Sequence, residues 1–464
     1  MSEPTLNLGQ VAQACAGELI NASETVAIVG VSTDSRSIAR GELFVAISGE
    51  HFDGHDYVAA SLARGACAAL VRADWAQKHQ EGLPLVAVAE TRTALGALAA
   101  AWRAGFELPL IGVTGSNGKT TVKEMCAAIL RAWTGAPACV LATEGNLNND
   151  IGLPLMLLRL RARHKAAVIE MGMNHQGEIA HLTRIAQPTV AVITNAQRAH
   201  LAGLGSLTAV ALAKGEIFAG LPPNGVAVIN ADDAHADLWR QLAGAHRLVD
   251  YSLERQAAVS GHYAAHGFGG RLDLATPEGR GEIQLQLPGR HNAANAVAAA
   301  AATLAAGADF AAVVAGLNAC TGVKGRLQKV AGINGAMVID DSYNANPDSL
   351  RAAIDVLASL PGKKILVLGD MGEVGAAAGQ YHDEIGGYAK SMGIDLLLAL
   401  GEHAATAAHN FAAGASHYKN VYALIEALRP LLDAQTTVLV KGSRFMKMER
   451  VVDAIAVVQP GTQE

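Results

Sequence analysis

The sequence predicts an α/β fold in three domains: a small N-terminal α/β domain, a central parallel-sheet domain built on a Gly-rich turn, and a C-terminal Rossmann-like parallel-sheet domain. Three observations carry this. A chain of 464 residues exceeds what one core usually serves and corresponds to about three domains. Apolar runs of strand length alternate with helical patterns, and each run ends in polar or Gly-rich residues, as parallel strands with helices on both faces require. Hydrophobic residues make up 51% of the chain but aromatics only 4%. Ala and Gly therefore supply much of the bulk, which suits helices packed closely on sheets.

Residues 1–89 form the first predicted domain, with helix-like and strand-like pieces in VAQACAGELI, TVAIVGVSTDSRSI, ELFVAISG, HDYVAASLARGACAALV and PLVAVA. Polar groups concentrate in VSTDSRSIARGELFVAISGEHFDGHDY, where Thr33, Asp34, Ser35, Arg36, Asp53 and His55 all lie beside turn residues. Loops at strand ends are where polar groups meet ligands. The same residues also serve as turn formers and caps.

Residues 91–106 read as a helix leading into the second domain, 90–322. There the apolar run 108–113 gives way to Thr114-Gly115-Ser116-Asn117-Gly118-Lys119-Thr120-Thr121 and a helical pattern, the layout of a phosphate-binding loop. Gly115 and Gly118 allow a tight curl around an anion, the helix N-terminus adds partial positive charge, Lys119 neutralises, and a Thr hydroxyl can hold Mg²⁺. The strict G-x-x-x-x-G-K-[ST] pattern is missed, because Val113 stands where its first Gly belongs and Gly112 comes one place early. The loop predicts a nucleoside triphosphate; the competing reading is a Gly-rich turn before an ordinary helix.

Further strands are predicted at AAVIEMG, TVAVITN and GVAVIN. Glu170 ends the first and His200 follows the second by a short loop, which delivers a carboxylate and an imidazole to the sheet edge that carries Thr120. Together they suit a hard cation, although singly each is as readily a cap or a solvated side chain. In TEGNLNNDIGLP, residues 143–154, Asn146, Asn148 and Asn149 offer neutral amides to a polar substrate or simply form a turn. Lys214, in LTAVALAKGEIF, reads from its neighbours as an exposed helix lysine.

After Asp232 the alternation in RLDLATPEGRGEIQLQLPG predicts an antiparallel hairpin region, followed by a helix opened by Asn292 and Asn295 on one face. In the last domain, residues 323–464, strands AMVID, KKILVLGD, DLLLAL and TTVLVKG alternate with helices. The polar strand ends DDSYNANPDS, GDMGEVG and KGSRFMK are predicted to share one edge. No G-x-G-x-x-G follows a strand there, so a dinucleotide domain is not predicted.

Composition narrows the partners. A net charge of −6, without a basic run or an aromatic ladder, predicts no nucleic-acid partner. Five cysteines without C-x-x-C spacing indicate neither a disulfide framework nor zinc, and fit a reducing compartment. MSEPTLNLGQ lacks the basic and apolar parts of a signal peptide, and the Ala-rich run 292–317 is broken by Gly307 and Asp309. The expectation is a cytoplasmic protein with no transmembrane segment.

Taken together, TGSNGKTT, IEMGMNHQGEI, HLAGLGSLTAVALAKGEIF, GRHNAANAVAA, GRLQ and DSYNANP resemble the Mur ligases, the ATP-dependent amide-forming enzymes of bacterial peptidoglycan synthesis. The resemblance spans nearly the whole chain. STDSR, FDGHD, GNLNNDIGLP and DSYNANP are most similar to the branch that joins UDP-N-acetylmuramoyl-tripeptide to D-alanyl-D-alanine. The D-N-P-R string of the branch that adds the third amino acid is missing, and folylpolyglutamate synthases share the phosphate loop but not the first domain's motifs.

The resemblance implies that residues 115–121 bind ATP phosphates, with Lys119 catalytic, and that Thr120 and Glu170 hold one Mg²⁺. Glu170, His200 and a carbamylated Lys214 would hold a second Mg²⁺. It assigns Asn292 to adenine, Arg326 to a phosphate and Asp341 to the ribose. Thr33, Ser35, Arg36, Asp53 and His55 would meet the UDP end, and Asn146, Asn149, Tyr343, Asn344 and Asn346 the rest of the substrates. One departure stands near the metal positions: the family often shows G-P-A-H-L-E where this chain has Gln197-Arg198-Ala199-His200-Leu201-Ala202. The chain is expected to act as a monomer. From the loop alone, a phosphate-loop ATPase or small-molecule kinase remains the alternative.

Overall fold

Each of the three units builds its own main sheet, and in all three the buried strands are the continuous apolar runs that parallel sheets favour. The computed structural model describes residues 6–79 and 82–457. Residues 1–5, part of the stretch read for a signal peptide, lie outside them.

The central sheet has nine strands. Leu110–Thr114 lies in its interior, with Ala166–Glu170 on one side and Val190–Ile193 on the other, all parallel. Because the chain visits Val140–Ala142 and Ala166–Glu170 first and then crosses to Val190–Ile193, a topological switch point falls at the carboxyl end of Leu110–Thr114. That crevice is where open α/β sheets bind ligands. Beyond Val226–Asn230 and Arg247–Ser252, the strands Val259–His266, Gly269–Thr276 and Gly279–Leu285 form the antiparallel region, with its turn at Pro277-Glu278.

The Ala-rich run is two helices, Arg290–Ala305 and Phe310–Ala319, packed over Lys119–Thr134. A Cβ on Gly316 would collide with the backbone of Ile129, so two of these helices touch main chain to main chain. This close approach is the physical use of the small residues noted in the composition.

The C-terminal sheet orders its strands Gln328–Ala331, Met337–Asp341, Thr436–Lys441, Lys363–Gly369, Leu396–Leu400 and Ala415–Tyr418, with only the first antiparallel to its neighbour. Its three polar strand ends therefore do lie side by side. In the N-terminal unit, Val31–Ser32, Leu43–Val45, Ala68–Arg72 and Leu85–Val88 run parallel, and Glu18–Ile20 closes the edge antiparallel.

Several local readings change. TVAIVGVSTDSRSI is not one strand: Ala27–Ile28 pairs with Leu6–Asn7, while Val31–Ser32 enters the five-stranded sheet. VAQACAGELI is a helix that stops at left-handed Ala16 and continues as a strand. Val140–Ala142 and Arg247–Ser252 are strands without a clear pattern, the first very short and the second half exposed. Among the described residues no helix is long and apolar enough to cross a membrane.

Candidate active site

The phosphate loop leaves the buried strand Leu110–Thr114 and opens the helix Lys119–Thr134. Gly118 has φ +84°, and a Cβ there would strike the Asn295 side chain, so this position needs glycine on both counts. Lys119 Nζ donates to the carbonyls of Gly115 at 2.7 Å and Ser116 at 3.0 Å. Burial lowers its pKa, the nearby Arg326 adds to that, and the Glu170 and Glu373 charges oppose it. Asn117 is braced from the neighbouring strand end: its N–H donates to Asn195 Oδ1, its carbonyl accepts from Thr194 Oγ1, and its Nδ2 donates to Gln197 Oε1 at 2.6 Å.

Glu170 is 2% exposed and sits in register with Val113, so its carboxylate lies behind the loop. Oε1 accepts from Asn148 Nδ2 at 2.8 Å, whereas the buried Oε2 has no hydrogen-bond partner. Lys214 is 0% exposed, a correction of the exposed lysine read from its neighbours, and its Nζ also has no partner. Burial, aided by repulsion from Lys119, drives its pKa well below the ordinary lysine value against attraction from Glu170, Glu178 and Glu216. His200 takes a left-handed backbone, φ +58°, and its Nδ1 stands 3.0 Å from Glu373 without hydrogen-bond geometry. Burial chiefly lowers its pKa, with Lys119 and Lys214 contributing, against the pull of the neighbouring Glu373 carboxylate.

Glu170 Oε2 and Lys214 Nζ are thus buried without a hydrogen-bond partner, while His200 Nδ1 has the Glu373 carboxylate beside it. Oε2 of Glu170 and the imidazole suit a divalent cation. A lysine ammonium does not, but the neutral amine that burial favours is the form that can attack the carbon of CO₂.

Beside His200 lies a cavity of about 400 Å³ between the central and C-terminal units, lined by residues 116–121, Asn292, Asn295, Arg326, Asp341 and Lys441 among others. Asn292 donates to the Pro288 carbonyl and accepts from Asn295. Both Asp341 oxygens are engaged, one by Lys441 Nζ at 2.6 Å and one by the Leu327 N–H. Burial raises its pKa against the pull of Lys441 and Arg326. Arg326 lies over the Tyr343 ring, 4.4 Å from its centroid. Asn344 gives its carbonyl to Lys441, and Asn346 caps the helix Pro347–Ser359.

None of the three asparagines named in the 143–154 loop lines this cavity. Asn146 is exposed, and Asn149 caps the turn at Ile151 and Gly152. Asn148, next to them, is the one that reaches Glu170.

Thr33, Ser35 and Arg36 follow Val31–Ser32, and Asp53 and His55 follow Leu43–Val45, so adjacent parallel strands bring them to one edge of the N-terminal sheet. The Arg36 side chain bonds Asp34 and is 87% exposed. His55 is 2% exposed: Nδ1 meets Asp53 at 2.6 Å and Nε2 accepts the Arg72 N–H. It shapes this edge and has no free ring nitrogen to offer. Thr194, Asn195, His291, Glu373 and Lys441 were not predicted individually, since each reaches the cavity only through the packing of separate strands.

Family models match along most of the chain: Mur ligase family, catalytic domain over residues 27–103, Mur ligase middle domain over 113–303, and Mur ligase, glutamate ligase domain over 325–444. The chain belongs to the Mur ligase family, and it is a ligase. It is 43% identical to the UDP-N-acetylmuramoyl-tripeptide--D-alanyl-D-alanine ligase of Escherichia coli (strain K12), over 97% of this chain and 98% of the relative. The enzyme of that name from Bacillus subtilis (strain 168) is 36% identical, over 95% and 96%. Of solved structures, MurF from Acinetobacter baumannii is similar with a TM-score of 0.90 and 35% identity, covering 98% and 99%.

Proposed function

We infer that the chain catalyses ATP-dependent amide bond formation between UDP-N-acetylmuramoyl-tripeptide and D-alanyl-D-alanine, giving the UDP-MurNAc-pentapeptide precursor of peptidoglycan. The work belongs to cell-wall synthesis, and through it to cell shape and division. The terminal carboxylate of the tripeptide attacks the γ-phosphorus of ATP, and ADP leaves. The amine of D-alanyl-D-alanine then attacks the carbonyl of the resulting acyl phosphate, and phosphate leaves. The observation that carries this reading is the cavity between the central and C-terminal units, which brings residues 116–121 of the phosphate loop together with His200, Asn292, Arg326 and Asp341.

Residues 115–121 would cradle the ATP phosphates, with Lys119 exchanging the Gly115 and Ser116 carbonyls for phosphate oxygens. Asn292 would face the adenine, Arg326 a phosphate and Asp341, held by Lys441, the ribose. Thr120 and Glu170 would hold one Mg²⁺, and Glu170, His200 and carbamylated Lys214 a second. Bound Mg²⁺ offsets the repulsion between carboxylate and polyphosphate and the charge that develops on transfer. The carbamate forms when neutral Lys214 Nζ adds to CO₂ and releases a proton, which turns an unpartnered buried amine into an anionic ligand.

We assign residues 1–89 to the UDP end through Thr33, Ser35, Arg36 and Asp53, with His55 positioning Asp53. Residues 90–322 bind ATP, with Asn146 and Asn149 at the substrate-facing loop. Residues 323–464 bind the amine and close the site, with Tyr343, Asn344 and Asn346 at the seam. We take the chain to act as a monomer, and ATP and UDP-linked substrates support a cytoplasmic location.

The test is to incubate the protein with Mg²⁺-ATP, UDP-MurNAc-tripeptide containing lysine or diaminopimelate, and D-alanyl-D-alanine. The expected outcome is pentapeptide by mass, with ADP and phosphate released only when both cosubstrates are present. ATP hydrolysis that ignores them, or a stable phosphorylated product, would replace the ligase reading by an ATPase or a kinase.

A further inference from the structure

Arg198 belongs to the central unit, yet its bonds run to the C-terminal unit. Its backbone N–H donates to Asp348 Oδ2 at 2.7 Å, and Nε and Nη2 donate to Asp348 Oδ1 at 2.9 and 2.6 Å. Nη1 and Nη2 donate to Glu384 at 2.9 and 3.2 Å, and the guanidinium lies over the Tyr381 ring, 5.4 Å from its centroid. Arg351 holds Glu384 from the other side at 2.6 Å. Arg198, Asp348 and Glu384 are 21%, 22% and 32% exposed, so salt screens the cluster less than a surface pair.

The neighbours of Arg198 in sequence all point at the reaction. Gln197 holds Asn117 of the phosphate loop, His200 faces Glu373, and the Ala202 N–H donates to the Glu373 carbonyl. Asp348 is two residues from Asn346, which bonds Asn117 across the seam. A bidentate arginine fixes both distance and orientation of what it joins.

We propose that Arg198 is a positioning residue: its grip on Asp348 and Glu384 latches the C-terminal unit onto the central one and sets the 197–202 segment, and with it His200 and the phosphate loop, in register. This rests on the ligase reading for its kinetic part only. A latch acts on the closed state, so its loss lowers turnover and leaves the UDP substrate, bound by the N-terminal unit, little affected.

The test compares wild type with Arg198→Met, Arg198→Lys and Glu384→Gln, the last keeping the shape of the latch from the opposite unit. Arg198→Met is expected to lower kcat by about tenfold or more with KM for the UDP-tripeptide within about twofold. Small-angle scattering with saturating Mg²⁺-ATP should show it more extended than wild type. Arg198→Lys should recover part of kcat, and Glu384→Gln should fall in between. Wild-type kcat in Arg198→Met, unchanged scattering, or no recovery with lysine would each overturn the latch. A wild type that makes no pentapeptide would sink the ligase reading instead, since the scattering comparison needs no amide product.

Discussion

Asn117 and Asn346 bond each other in both directions, Nδ2 to Oδ1, at 3.2 and 2.7 Å. One belongs to the phosphate loop and the other caps a helix of the C-terminal unit, so a single pair of amides spans the seam where the reaction is placed. Asn346→Asp keeps the cap but removes the donor and sets a charge against the Asn117 side-chain oxygen Oδ1. The expected result is near-native melting with kcat reduced by roughly tenfold. Asn346→Ala should also lose about 1 kcal/mol of stability with the cap, measured by denaturant unfolding.

Lys214 offers a readout besides activity. As an amine it is buried and unpartnered, so converting it to a hydrogen-bonding, metal-binding carbamate should stabilise the fold. Bicarbonate with Mg²⁺ is expected to raise the melting temperature of wild type and not of Lys214→Ala. The variant should be nearly inactive, with partial recovery on adding a short carboxylate. Equal melting shifts in both proteins would argue against the modification.

Asp53 sets a pH dependence for the N-terminal unit. Desolvation opposes its charge, but the His55 N–H and ring and the Ser48 hydroxyl hold its pKa down from 3.8 to about 2. A carboxyl with a depressed folded pKa contributes stability that is present above its unfolded value and lost as pH falls through the folded one. Asp53→Asn should therefore be less stable than wild type at neutral pH. The gap should close between pH 3.8 and about 2. A gap that stays constant on acidification would show that the carboxylate charge contributes nothing.

Arg36 is an exposed cation at the edge assigned to the UDP end. Arg36→Ala should raise KM for UDP-tripeptide by about tenfold and leave that for D-alanyl-D-alanine unchanged. Equal effects on both would contradict the division of labour between the units.

The parallel sheets were legible because strands buried on both faces appear as unbroken apolar runs such as 110–114 and 190–193. Val140–Ala142 and Arg247–Ser252 were not, being short or half exposed. The phosphate loop could be read because its parts are contiguous. Lys214 was misread because a loop or helix lysine is usually solvated, and this helix does expose Leu207 and Leu212 while it buries Val210, Ala211, Ala213 and Lys214. Asn148 could not be told from Asn149 within one turn, since only the fold brings Glu170 to one of them. The pair Arg198 and Asp348, 150 residues apart, exists only through the docking of two units.

The most direct test of the central claim follows the oxygen atoms. UDP-MurNAc-tripeptide carrying heavy oxygen in its terminal carboxylate is incubated with Mg²⁺-ATP and D-alanyl-D-alanine, and the released phosphate is analysed by mass. An acyl phosphate predicts label in the phosphate in step with pentapeptide formed, because the carboxylate oxygen that attacked phosphorus leaves with it. Pentapeptide formed alongside unlabelled phosphate would contradict the account.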